Sequence, residues 1–171
     1  MGKYAALLRG INVGGNKKVP MSDLKKAFES AGFKNVKTLL NTGNIAFESS
    51  KADSGAISKL LEKKFGFSIP ALVFDFSSIE KIIKMNPFRN VKANPGIRLY
   101  VTFLPEKTQT KKTYDSPDGS FHIIKVIDYF VFSYLDLSKT ETPDSMEMLE
   151  KVYGKGITTR NWNTVVKISK L

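Results

Sequence analysis

The residues best suited to chemistry lie close together, in Arg9-Gly10-Ile11-Asn12-Val13-Gly14-Gly15-Asn16-Lys17-Lys18. Glycines let backbone amides approach an anion, and a helix N-terminus beyond them favours negative charge. Arg9, Lys17 and Lys18 would add charge-assisted bonds to a phosphate. Gly14 and Gly15 would supply the amides, and Asn12 completes the candidate set in this loop. It is not a P-loop. Gly10 and Gly15 have that spacing, but Asn16 stands before Lys17 and no Ser or Thr follows to hold magnesium. Nor is it a dinucleotide fingerprint, because Gly10 and Gly14 are too far apart. The plain structural alternative is a sharp turn needing positive φ at Gly14 and Gly15.

Two more polar motifs are candidates. Asn41-Thr42-Gly43-Asn44 marks a hairpin and could present donors beside the first loop, Asn44 among them. Such residues more often satisfy the backbone of their own turn. Gly43–Phe47 falls where an RNA-recognition module carries its aromatic third strand, but only Phe47 corresponds. Without stacked aromatics that mode of RNA binding loses its main source of affinity. Thr158-Thr159-Arg160-Asn161-Trp162-Asn163-Thr164 is the third motif. Thr159 as an N-cap would put Arg160 and Asn161 in the first turn of a terminal helix, with Trp162 docking it. Arg160, Asn161 and Asn163 are ligand-binding candidates, because asparagine is a poor helix former and needs another reason to be there.

Other chemistry is scarce. The chain has no cysteine, so disulfides, thiolate metal sites and a cysteine nucleophile are all excluded. One histidine, His122, rules out a two-histidine zinc site and reads as an ordinary strand residue in FHIIKV. Asp75, Asp128 and Asp136 fall at strand ends or turns with no visible partner, so no acid/base pair can be named. No catalytic residue, cofactor or metal ligand is assigned, and whether the protein is an enzyme stays open.

The formal charge of +11 and a pI near 9.7 raise the prospect of a polyanionic partner. The basic residues are spread over both halves, in runs no longer than pairs such as Lys63-Lys64. Of the 27, 23 are lysine, which favours a solvated surface over a nucleic-acid footprint. Arginine is a planar fork that lysine cannot imitate, so Arg9, Arg89, Arg98 and Arg160 mark places where fork geometry matters. A small phosphorylated or anionic ligand at the glycine loop is the leading expectation. Sequence-indifferent nucleic-acid binding and an unidentified reaction are the alternatives. No apolar stretch approaches the roughly 20 residues of a membrane span. The N-terminus shows no signal core or myristoylation pattern, so a cytoplasmic protein is expected. Oligomeric state is not fixed by the sequence.

The elements that must position these motifs follow from periodicity. Lys3–Leu8 reads as a strand leading into the loop. Met21–Ala31 follows at helical period, with Leu24, Ala27, Phe28 and Ala31 on one face. Val36–Leu40 and Asn44–Glu48 are hairpin strands. A second helix is capped by Asp53 or Ser54, presents Ile57, Leu60, Leu61 and Phe65, and ends at Gly66. Ile69–Phe76 returns as a strand, so residues 1–76 follow the β-α-β-β-α-β plan of a ferredoxin-like unit. A short helix capped by Ser77 or Ser78 and the segment NPFRNVKANPG make 77–97 the expected linker. The second unit, 98–171, begins with the strand Arg98–Leu104. It continues with a short helix over Pro105–Thr113 and a hairpin of Phe121–Val126 with Tyr129–Leu135. A helix over Pro143–Tyr153 packs through Met146, Leu149, Val152 and Tyr153, and the terminal helix spans Thr159–Leu171. Aromatics on both faces of Tyr129–Leu135 imply that something covers or uses the second face, packing of the two units against each other being the plain alternative. The expected class is α+β, two ferredoxin-like (α/β-plait) units, the second ending in a C-terminal helix.

Three segments in combination, YAALLRGINVGGNKKVPMSDL, TLLNTGNIAFES and TTRNWNTVVKI, resemble the bacterial family catalogued as domain of unknown function 1697. The resemblance runs from Tyr4 to the C-terminus. It implies a pair of ferredoxin-like units and supplies no activity, substrate or catalytic residue.

Overall fold

A computed structural model of the chain describes residues 1–15, 17–92, 94–139 and 145–171. It is a mixed α+β protein with two antiparallel sheets and, among the described residues, five helices. Two compact units divide it: Met1–Lys84 with Val166–Leu171, and Met85–Val165. No described helix is long and apolar enough to cross a membrane.

In the first unit β1 (Gly2–Leu8) precedes α1 (Met21–Ser30). The hairpin β2 (Lys34–Leu39) and β3 (Asn44–Ser49) comes next. Then come α2 (Ser54–Phe65), β4 (Ala71–Asp75) and α3 (Phe76–Met85), whose last residue falls in the second unit. The sheet order is β2-β3-β1-β4, with every neighbour antiparallel. Ala6 and Leu8 of β1, Ile45 and Phe47 of β3 and Ala71 of β4 share one face. Leu24 and Phe28 of α1 and Ile57 and Leu61 of α2 close over it. Asp53 caps α2, its Oδ1 accepting from the Ala56 amide at 2.7 Å, and Gly66 ends it in the left-handed region. Ala31, expected on the apolar face of α1, is exposed beyond its end. Neither Ser77 nor Ser78 opens α3, because β4 passes directly into it at Phe76.

The second unit begins with β5 (Ile97–Phe103), the two-residue β6 (Tyr114–Asp115), β7 (Phe121–Ile127) and β8 (Phe130–Asp136). It continues with α4 (Ser145–Tyr153), β9 (Thr158–Asn161) and the start of α5 (Trp162–Ile168). Its sheet order is β6-β7-β8-β5-β9. Leu104, Phe121, Ile123, Val131, Leu135 and Leu149 form its core.

Three expectations need correction here. Pro105–Thr113 is not a helix: PEKTQTKKT has no apolar stripe to bury, and a short helix is not stable on propensity alone. Thr108 instead donates its amide to Asp128 O at 2.9 Å. The terminal helix does not start at Thr159. Thr158–Asn161 pairs with the open edge of β5, where the Thr102 and Thr159 hydroxyls bond at 2.8 Å. Threonine and asparagine are weak helix formers, so an available strand edge wins. In α4, Met146 and Val152 are exposed rather than packed, while Leu149, Met148 and Tyr153 face the core. Pro143 and Asp144, the expected start of that helix, lie outside the described residues. In β8, Phe130, Val131, Phe132 and Ser133 are all buried, whereas Tyr129, the aromatic that marks the second face in the sequence, is exposed just before the strand.

Candidate functional site

The glycine loop joins β1 to α1 and is pinned by Ile11 and Val19, both buried in the first core. The backbone takes positive φ at Gly10, just before the first anchor, and at Asn12, Gly14, Gly15 and Lys17 between the two. Asn12 holds the turn. Its Oδ1 accepts the Val19 amide at 2.8 Å, and its Nδ2 donates to Val19 O at 3.0 Å and Asn41 O at 2.7 Å. Both amide protons are therefore spent inside the protein. Asn44 is fully buried and donates to Leu39 O and to Thr42 Oγ1, each at 3.0 Å. No ligand reaches its side chain without opening the β2–β3 turn. Gly43 lies so close to the loop that a methyl there would sit 2.7 Å from Leu8 Cβ and 2.8 Å from Ile11 Cδ1. Gly14, Gly15 and Lys17 remain exposed, the Lys17 ammonium 5.8 Å from the Phe67 ring centre. Arg9 is half-buried at the end of β1, its amide bonded to Pro70 O. Asn16 is outside the described residues.

In the second unit, Arg160 and Asn161 stand on a strand rather than in a helical turn. Arg160 Nη1 donates to Thr158 Oγ1 at 2.8 Å and Thr159 O at 3.0 Å. Burial pushes its guanidinium down to about 10, which leaves it charged at neutral pH. Asn161 takes the capping role expected of Thr159, its Oδ1 accepting the Asn163 amide at 2.9 Å. Trp162 and Phe88 pack in a T-shaped pair, ring centres 5.2 Å apart, and Asn163 is exposed.

Phe88 belongs to NPFRNVKANPG, the stretch that reads as a linker. It is a wall of the second unit. Phe88 is buried against Phe132 as well as Trp162. Successive turns follow from Asn86, at φ 45°, through Val91 N→Phe88 O to Ile97 N→Asn94 O. Arg98 Nη1 donates to Pro95 O at 2.6 Å and fixes the far end. Between this wall and the outer part of β7 and β8 lies a cavity of about 690 Å³. Among the described residues the cations Arg89, Lys92, Lys125 and Lys139 line it, with one carboxylate, Asp136. Hydrogen bonds from Ser138 are the main cause holding Asp136 below the usual carboxylate range. The floor is His122 stacked on Tyr134, centres 4.4 Å apart. His122 Nδ1 lies 2.5 Å from Asp115 Oδ1 and Nε2 lies 2.9 Å from Gly119 O. Both ring nitrogens are thus engaged within the protein. Burial raises the Tyr134 phenol, so it stays a neutral donor or acceptor there.

A second hollow of about 410 Å³ adjoins the first. Lys92 and Asn94 line both, and Arg98, Asn161, Trp162 and Asn163 line only the second. Two residues singled out in the sequence, Asn161 and Asn163, thus meet at a cavity, and Arg89 was marked as an arginine. Lys92, Lys125, Lys139 and Tyr134 were missed. Their only signal is proximity across the sheet, which a run of local sequence does not carry. No group of three or more histidine, cysteine or acidic residues able to hold a metal occurs among the described residues.

Residues 1–122 match the model of a family described as a protein of unknown function, DUF1697. No functionally curated protein matches the chain. The fold is similar to the solved structure of conserved bacterial protein SP0830 from Streptococcus pneumoniae. The TM-score is 0.62 and identity is 21%, over 99% of this chain and 97% of that one.

Proposed function

We propose a ligand class for this protein, which belongs to the DUF1697 family of unknown function: it binds a small phosphorylated or otherwise anionic molecule in the cavity of its second unit. The observation that carries this reading is the set of four cations, Arg89, Lys92, Lys125 and Lys139, around a 690 Å³ concavity with one carboxylate among the described residues. Like charges lining a concave surface concentrate their field, and guanidinium and ammonium groups bond phosphate oxygens strongly. The volume falls in the ordinary range for small-molecule sites, roughly 300–1,000 Å³. Calorimetric titration with inorganic pyrophosphate tests the reading. Saturable binding that weakens as salt is raised is expected, and no binding even at low salt overturns it.

A second reading, for the same ligand class, places it at the glycine loop. It is favoured by the exposed Gly14, Gly15 and Lys17. In either case we infer a ferredoxin-like plan for both units. The order β2-β3-β1-β4 supports it, and so does the parallel order β7-β8-β5-β9, with the first helix of the second unit missing.

A further inference from the structure

We propose that the ligand is a nucleotide, its phosphates among the cations of the larger cavity and its base against Trp162 in the smaller one; this rests on the anion site just described. The adjoining hollows differ in chemistry. The larger holds Arg89, Lys125 and Lys139, while the smaller offers an indole ring, the Asn163 side chain and the side-chain NH2 groups of Asn94 and Asn161, whose oxygens accept from the Gly96 and Asn163 amides. An aromatic face suits any planar base, and amides complement a base edge that both donates and accepts. Lys92 lines both hollows, which places a cation where a ligand crossing between them would carry its first phosphate. A plain phosphate would fill only one hollow, and an uncharged ring would leave the cations unanswered.

The experiment uses the full chain, whose one tryptophan is Trp162. ADP and inorganic pyrophosphate are titrated in parallel, followed by calorimetry and by tryptophan emission. ADP is expected to bind at least about tenfold more tightly than pyrophosphate, the scale of one base–aromatic stack, and to change the emission. Asn163→Ala, at an exposed residue that lines only the smaller hollow, should reduce that advantage and leave pyrophosphate affinity within about twofold. If pyrophosphate binds as tightly as ADP and the emission does not move, the nucleotide assignment is overturned while the anion site stands. If neither ligand binds, both fall. A single-stranded oligonucleotide that binds more tightly than ADP would overturn the small-ligand form and favour a nucleic acid.

Discussion

The glycine loop of the first unit and the Asn86–Ile97 wall of the second are built from the same kinds of residue, asparagine, glycine and basic side chains, yet use them oppositely. In the loop, Asn12 turns inward and its amide serves two carbonyls and one amide of the protein itself. Asn44 does the same beneath the neighbouring turn. In the wall a buried aromatic, Phe88, does the anchoring, so Arg89 and Lys92 are left facing a cavity. A side-chain amide with both protons spent on holding a turn, as in Asn12, has none to donate to a ligand. In the wall Asn94 likewise gives its oxygen to the Gly96 amide, whereas Arg89 and Lys92 line the cavity.

Breaking the loop should therefore cost stability first. Gly43→Ala is expected to have the largest effect, about 3 kcal/mol in urea unfolding. The new methyl meets Leu8 and Ile11, and the position has φ of +74°. A loss below about 1 kcal/mol would show a looser junction than the distances describe. Asn12→Ala should cost somewhat less, about 2 kcal/mol, as Val19 and Asn41 lose their bonds. Asn12→Asp should be no milder, since it aims a carboxylate at two carbonyl oxygens.

On the other side of the comparison, a smaller and pH-dependent effect is expected at the turn that supports the cavity floor. Ser116 and Ser120 donate to Asp118, which lowers its carboxyl to about 2. A lowered acid stabilises the fold above its ordinary pKa and loses that contribution as pH falls toward the folded value. The stability gap between the natural protein and Asp118→Asn should thus be complete above about pH 4 and close toward pH 2. A gap unchanged over that window would mean that the serine bonds do not depend on the charge.

The first unit was largely legible because its cues are local: the capping Asp53, the αL stop at Gly66, and helical spacing in α1 and α2. Its polar loop was legible as a motif, but the direction of Asn12 was not, since the partners that claim it include a residue from another turn, Asn41. The second unit hid more. Thr158–Asn161 becomes a strand only because β5 offers an edge. The wall reads as a linker because Phe88 meets Phe132 and Trp162 across long stretches of chain. Lys125 and Lys139 were indistinguishable from surface lysines until the sheet and the wall framed them together.

The most direct test compares two double variants by pyrophosphate calorimetry. Arg89→Ala with Lys125→Ala removes two exposed cations of the cavity and should weaken binding at least about tenfold, the scale of one to two charge-assisted bonds. It should move unfolding stability by less than about 0.5 kcal/mol, as for other surface changes. Arg9→Ala with Lys17→Ala should leave affinity within about twofold. The opposite pattern, affinity lost with Arg9 and Lys17 and kept without Arg89 and Lys125, would contradict the account and return the ligand to the glycine loop.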